Sequence, residues 1–591
     1  MSPVTRRTFA FGAAMMLAAS AFVVAPVAAQ DEPPTGGTAV AGEWQAATQL
    51  NPYIPNAVKD FEAIAPILRP LVTVDSDGQW APEFLTELPS LDNGGVILDE
   101  DGDGFTVNIS MMEGLQWSDG EPFTLRDLAW NLDWAIATAQ AGVGCAVCTV
   151  FNPIIDTSLE GDAYWAPENR YVESIDVSED GLTAAIHFAQ NYAGWMGVFN
   201  QQLIAPQFWE GIADEDINGT AVPGSDSLLE MPVNGPFMIS AASSEGIDYV
   251  PNPLWTADTG PYLDELRLRF YGSKDGEFTA FLNGEIDVTL NTTMADVKAL
   301  QSVDPSIGRA QVDDSWMYEH LDFNHESANV GLDDPMVREA LRMAIDKQQL
   351  IDVLFPGAGL TPASSVSPPS VWWASDVAAH EYDPEAAGAL LDEAGWAFDP
   401  DLGARAKDGE ILRLRMCTSS GNPLRLTTLG RIAQDWGAID VGTDIQTEDP
   451  NVYFGSWDET TNETDCNIYR GSFDVSLYTS LLSGDPYGNY YFNYHSSQPA
   501  NDAFPGGTNI TRVQLPEVDA VLDELGSKVD LGEIAATSDS VHQIIDELVV
   551  EVPLYYRPEP MGVSNRLGGL EKGNPSTMTK LWDVENWYIQ E

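Results

Sequence analysis

Apolar residues recur at helical spacing along several stretches of this chain, and each stretch opens on a start signal. Leu125, Leu128, Ala129, Leu132, Ala135 and Ile136 form one stripe, which predicts a helix beginning near Leu125. Thr124 stands at its N-cap with Asp127 three residues on, a capping-box arrangement. Ahead of it, Asp119-Gly120 supplies a turn with a residue free to take positive φ, and Pro122 fixes the exit direction. Asp334-Pro335 opens a second helix, with Val337, Ala340, Leu341, Ala344, Ile345 and Ile351 as its buried face as far as Gly357. The same device at Asp383-Pro384 opens a short amphipathic helix of Ala387, Leu390, Leu391 and Ala394, stopped by Gly395. Strand-like alternation follows over residues 411–417, then a helix around 424–436, a strand around 441–446 and another at 473–478. Strand, helix, strand in that order implies parallel pairing, so the fold class is α/β. Pro and Gly clusters at 356–369 and 499–507 read as surface loops, and no internal repeat is evident.

The strand end, turn and capped helix of residues 114–127, GLQWSDGEPFTLRD, resemble the signature of the family 5 extracellular solute-binding proteins of ABC importers, the oligopeptide, dipeptide and nickel receptors. The likeness runs on in one order. It takes in the opening at 51–89, NGPFMI at 234–239, NPLW at 252–255 and FLNGEIDV at 281–288. LDFNHES, DDPMVREALRMAID, YDPEAAGALLDEAGW and the late VPLYY continue it. What the resemblance implies is a two-lobed, periplasmic-binding-protein-like fold of type II, in the large class with an extra inserted sub-domain. Lobe I would comprise 30–60, 206–316 and 555–591, the inserted sub-domain 61–205, and lobe II 317–554. The chain would cross between lobes near 316–324 and return near 553–556. Such a receptor is expected to be a non-enzymatic monomer without cofactor or metal. It would bind a peptide-like or other oligomeric solute, or a small molecule, in the interlobe cleft by a hinge motion and deliver it to the permease subunits of an ABC transporter.

Composition agrees with that picture. The 591 residues are ample for two or three sub-domains with cores. Lys plus Arg number 27 against 91 Asp plus Glu, a formal charge of −64. Such a field repels phosphate backbones and anionic headgroups, which argues against nucleic acid and peripheral membrane binding, and it keeps the chain soluble. Residues 1–29 carry Arg6 and Arg7, no acid, and an apolar run ending in Val-Ala-Ala, an export signal that places the protein at the periplasmic or extracellular face. Thr5-Arg6-Arg7-Thr8-Phe9 resembles a twin-arginine signature. Cleavage after Ala29 takes the charge to −66. No cysteine sits near that point for a lipid anchor; an uncleaved signal acting as an anchor is the minority reading. Four cysteines in an exported chain favour disulfides. Three pairings are possible; Cys145 with Cys148 and Cys417 with Cys466 is favoured over half a zinc site.

Candidate site residues follow from the resemblance. The crossing strand would present Trp316, Tyr318 and His320 on one side, since alternate strand residues face one way, although the same residues serve equally as core. Residues 478–490, YTSLLSGDPYGNY, match the cleft strand of the other lobe, which in peptide receptors pairs with the extended ligand; Ser480, Leu482, Asp485 and Tyr487 are the candidates there. Peptide-binding relatives carry an aspartate four residues before the Asp-Pro proline, to pair with the ligand's amino terminus. Here that position is Leu482, which cannot neutralise an ammonium group, and Asp485 substitutes only if the loop is rearranged. This departure raises neutral or differently charged ligands, including oligosaccharides and modified peptides. Trp44 and the Trp372-Trp373 pair are candidates for stacking on ligand. Asp99, Asp101 and Asp103 have the spacing of a calcium loop but lack its glutamate at position twelve, where Ser110 stands, so a hairpin loop is favoured. The alternative class is a secreted glycan or peptide hydrolase using carboxylates. No GxSxG, HExxH or phosphate loop is present, and the six histidines show no nucleophile-base spacing.

Overall fold

The computed structural model describes residues 33–590, apart from 55–56, 101, 141–169, 257–259, 291, 293–295, 357–358, 571–572, 574 and 577–578. The export signal, Asp101, Cys145 and Cys148 lie outside the described residues.

Two mixed sheets organise the chain. In the first, Thr38–Glu43 pairs in parallel with Glu265–Phe270 and Val288–Thr289. Gly246–Pro251 and Phe237–Ser243 extend it on one side, Glu559–Ser564 and Gly308–Asp313 on the other, giving seven strands. The second has five strands, in the order Gly442–Glu448, Arg413–Ser419, Val475–Leu481, Met317–Phe323 and Glu551–Tyr556. Its parallel half comes from the strand-helix-strand run. Asn422 caps the helix Pro423–Gly437 by accepting the N–H groups of Leu424 and Arg425, and that helix returns the chain so that Gly442–Glu448 lies parallel to Arg413–Ser419. A separate four-stranded antiparallel sheet, Val96–Leu98, Phe105–Ser110, Thr183–Phe188 and Val172–Val177, sits within 61–205. The architecture is therefore α/β and two-lobed. The chain leaves the first sheet at Asp313, enters the second at Met317, and returns between Tyr556 and Glu559.

Local signals work as their chemistry requires. Asp127 Oδ2 accepts the Thr124 N–H at 2.7 Å and Thr124 Oγ1 accepts the Arg126 N–H at 3.3 Å, so the capping box starts Leu125–Gln140. Asp334 and Asp383 cap Pro335–Met343 and Pro384–Glu393 through the N–H groups of Met336 and Ala386. Asp99–Gly104 is the turn of a hairpin joining Val96–Leu98 to Phe105–Ser110, closed by the Asp99 N–H on the Gly104 carbonyl. Cys417 and Cys466 form a disulfide.

Two expectations need correction. The helix opened by Asp334 does not run to Gly357. It ends at Met343, and a second helix, Lys347–Leu354, starts where Asp346 takes the Gln349 N–H at 2.8 Å. Apolar periodicity carried across the break because Ala344, Ile345 and Ile351 are buried on both sides of it. Residues 363–367 are not a surface loop. Ala363, Ser365, Val366 and Ser367 are buried, because the segment runs along Glu551–Tyr556 and meets its backbone needs there: the Ala363 N–H donates to the Leu554 carbonyl, and the Ser365 N–H and carbonyl both engage the Tyr556 hydroxyl.

The disulfide closes a separation of 49 residues across the parallel half of lobe II. Replacing both Cys417 and Cys466 with Ser should lower stability by about 2–4 kcal/mol in guanidinium unfolding. An unchanged midpoint would show that the bridge does not restrain the unfolded chain.

Candidate functional site

A cavity of about 280 Å³ lies between the segments 61–80 and 194–202 with Thr579 and Trp582 on one side and the segment 481–485 on the other. Phe61, Ala65 and Leu68 line it from the helix Val58–Ile64 and the turn beyond. The hairpin Val72–Val74 and Trp80–Pro82 adds Val74 and Trp80, and Asn200, Gln201 and Gln202 add amides. Thr579 and Trp582 close the floor. The facing wall is short: Leu481, Ser483, Gly484 and Asp485, where Val475–Leu481 ends and the helix Pro486–Tyr494 begins. Trp316, at the crossing, sits between the two walls.

Buried polar groups hold this frame. Glu62 accepts the Thr579 hydroxyl at 2.7 Å and the Lys580 N–H at 2.9 Å, tying the floor to the helix. Burial pushes its carboxyl up to about 8, against the pull of those same hydrogen bonds. The Arg69 guanidinium engages the Trp582 carbonyl and Glu585 from the same side. At the hairpin tip, Gly78 has φ +78°, and a Cβ there would stand 1.7 Å from the Ser370 carbonyl of lobe II. Only glycine permits that approach.

The lobes touch directly. The Tyr192 hydroxyl donates to Asp485 Oδ2 at 2.6 Å, and the Trp195 indole N–H to the Val529 carbonyl at 2.9 Å. Trp80 meets Trp372 with centroids 6.4 Å apart, and the Trp372 indole donates to the Gly484 carbonyl. Gly194 leaves room for the Asp485 carboxyl, which a Cβ would approach to 2.4 Å. Asp485 Oδ1 is buried and makes no hydrogen bond of ordinary geometry, with the Tyr487 and Gly488 N–H groups at the start of its helix beside the carboxyl. Burial holds the Asp485 carboxyl above the usual carboxylate range, opposed by the Tyr192 hydrogen bond, and the same burial beside Asp485 drives Tyr192 upward.

Residues 98–502 match the family described as bacterial extracellular solute-binding proteins, family 5 Middle. The chain belongs to that family. Among family-5-like relatives, the oligopeptide-binding protein OppA of Lactococcus lactis subsp. lactis is 24% identical over 420 residues, 66% of this chain and 68% of that protein. Heme-binding protein A of Haemophilus influenzae is 28% identical over 304 residues, 51% of this chain and 50% of that protein. Of solved structures, the substrate-binding protein CtaP of Listeria monocytogenes superposes with a TM-score of 0.72 at 18% identity, covering 94% of this chain and 100% of that one. AppA of Bacillus subtilis, solved with a nonapeptide, superposes with 0.64 at 17% identity, covering 95% and 100%. These likenesses give the fold of a type II periplasmic binding protein.

Within that family frame the sequence-derived candidates separate. Trp316 and Asp485 line the cavity. Trp372 stands behind Trp80, while Trp373 is fully buried, its indole donating to the Tyr490 hydroxyl and its ring edge-on to Trp316. Tyr487 packs on Tyr192 at 6.0 Å. Leu482 is 3% exposed and its N–H donates to the Trp316 carbonyl, so its neighbours form the wall instead. Tyr318 and His320 are buried beneath Pro486–Tyr494 with Ser480 nearby, away from the cleft. Trp44 is half-buried under the Lys274 ammonium group. Trp80, Tyr192, Asn200 and Trp582 were not singled out by sequence. The turn signal at Asp75 to Gly78, which sets Trp80, could have pointed to it.

The Tyr192 hydroxyl on Asp485 is a charge-assisted bond between lobes, of a type worth about 1.5–3 kcal/mol. Tyr192→Phe should speed amide hydrogen exchange at both 194–199 and 483–489, with the Leu125–Gln140 helix unchanged. Equal exchange in both proteins would mean that this contact does not hold the lobes.

Proposed function

We propose that this chain is an extracytoplasmic receptor that encloses a peptide-like solute between its lobes and passes it, chemically unchanged, to an ABC permease. The observation that carries this reading is a cavity whose walls come from both lobes, with Trp80 and Trp582 to stack on amide or side-chain planes, the buried Trp316 behind them and Asp485 at one end. The cleft strand supports the peptide class. Its pairing with Arg413–Ser419 covers Val475, Ser476 and Leu477, and among the described residues 478–481 have a strand partner only in Met317–Phe323. An extended ligand fits such a half-open edge by β-augmentation. Asp485, a buried carboxyl in the cavity wall with Tyr192 on one oxygen, is suited to a ligand ammonium group; the position four before Pro486 is not. The oligopeptide relatives and the nonapeptide complex of AppA agree with this class.

The hinge belongs to residues 314–316 and 557–558, between paired strands of the two sheets. Ligand contacts to both walls would shift the open-closed balance by the difference in affinity between the two states. Hydrolase chemistry has little support: among the cavity-lining residues Asp485 is the one carboxylate, whereas glycoside hydrolysis takes two.

Mass spectrometry of material released by denaturing the purified protein should give intact oligopeptides. Hydrolysed fragments, or no bound solute under any growth condition, would refute the reading. A pH test addresses Asp485. Its carboxyl is raised in the closed cavity from an ordinary 3.8, so closure without ligand is favoured below that range and weakened as pH rises through it. A cationic ligand reverses the sign, because it holds the carboxylate ionised and displaces the proton. Affinity for a free-amino peptide should therefore rise with pH through the raised Asp485 range. Asp485→Asn should flatten that slope and weaken binding about 30-fold or more, while N-acetylated peptide is little affected. Equal losses for both peptides would place the amine elsewhere.

A further inference from the structure

One cluster of ionisable side chains stands apart from the cleft. His320 and Asp322 are two apart on Met317–Phe323 and so face the same side, and Asp322 registers opposite Glu551 on the neighbouring strand. A nitrogen of His320 and one oxygen from each carboxylate lie within 4.8 Å of one another, all three residues being buried. The pairing is incomplete. His320 is 0% exposed; its Nε2 stands at ion-pair distance, 3.5 Å, from Asp322 Oδ1, and neither ring nitrogen makes a hydrogen bond of ordinary geometry. Glu551 Oε1 is buried and likewise makes none, with the Tyr318 hydroxyl beside the carboxyl. Buried polar atoms are otherwise almost always satisfied, so a His320 nitrogen and Glu551 Oε1 left short of partners beside Asp322 leave room for a ligand.

We propose that His320, Asp322 and Glu551 form a closed site for one divalent transition-metal ion, zinc by its donor set, inside lobe II. The outer contacts suit it. The Tyr478 hydroxyl donates to Asp322 Oδ2 and the Tyr494 hydroxyl to Glu551 Oε2, both at 2.7 Å, which orients each carboxylate and leaves its second oxygen for the ion. Charge permits it: a divalent ion with neutral imidazole and two carboxylates brings the group to zero, the same net charge as an imidazolium beside one carboxylate and one protonated carboxyl. Donors about 2.1 Å from zinc stand roughly 3.4 Å apart in a tetrahedron, so the cluster closes on an ion by side-chain adjustments of about an ångström. A void of about 10 Å³ bordered by Asp322, Asn493, Thr508 and Glu551 has the volume of a single water, enough for a fourth ligand. Imidazole with two carboxylates suits zinc, with manganese next. None of the residues bordering this void lines the interlobe cavity, so the ion is structural and not the solute. It would fasten Met317–Phe323 to Glu551–Tyr556, the two strands that carry the chain into and out of lobe II.

The test uses the whole exported protein, produced in zinc-supplemented medium, desalted, and measured by plasma mass spectrometry. One zinc per chain is expected, falling below about a tenth in His320→Gln and in Glu551→Gln and unchanged in Asp485→Asn. Manganese-supplemented medium is the second probe. Should the two variants fail to fold, anomalous scattering at the zinc edge from wild-type crystals decides, with a peak expected among the three side chains. Wild-type protein without stoichiometric zinc or manganese, an ion retained by Glu551→Gln, or a peak elsewhere would each overturn the proposal.

Discussion

The architecture depends on one antiparallel ribbon. Gly308–Asp313 pairs with Glu559–Ser564 in the first sheet, and the same two segments of chain, continued as Met317–Phe323 and Glu551–Tyr556, pair again in the second. Two sheets on opposite sides of a cleft are thus joined through three residues in one direction and two in the other. The Arg557 N–H donates to the Met317 carbonyl at 2.9 Å, so the ribbon stays paired up to the gap. Few covalent links allow rotation; continuous pairing on either side limits its direction. The cavity, the lobe contacts and the proposed ion all take their positions from this ribbon.

On that base, closure is a balance of small terms. Asp485 loses water and gains one tyrosine hydroxyl, with only the first N–H groups of its own helix beside it otherwise. A buried carboxylate of that kind costs free energy in the closed form unless something meets it. Trp80 on Trp372 and Trp195 on the Val529 carbonyl offset part of that cost. A ligand ammonium group would supply the rest, which is how a receptor couples recognition to closure. The strongly acidic surface plays no part in this local balance. It bears on solubility and long-range repulsion.

Much of the frame could be read from sequence because its determinants are local. The capping box at Thr124, the Asp-Pro starts at Asp334 and Asp383, and the Asn422-capped helix between parallel strands each need only neighbouring residues. Where two local signals disagree, the cap decides: Asp346 starts a new helix, although the apolar stripe from Val337 to Ile351 runs on across the break before it. The cleft was less legible. Strand alternation holds to Leu481 and then lapses, so the loop after it buries Leu482 and turns Asp485 into the cavity, which counting back from Pro486 could not show. Alternation brings the Tyr318 and His320 rings together but does not say which layer covers them. Pro486–Tyr494 does so, closing off both. Trp80 and Tyr192 join the site through contacts with residues some 290 positions later, beyond any periodicity.

The central claim is that the two lobes move about this ribbon to enclose a solute. Small-angle X-ray scattering of the purified chain, stripped of solute and then returned to the peptides recovered from it, tests this most directly. The account predicts a smaller radius of gyration on peptide addition, saturating at one peptide per chain. A radius unchanged at saturating peptide would contradict it.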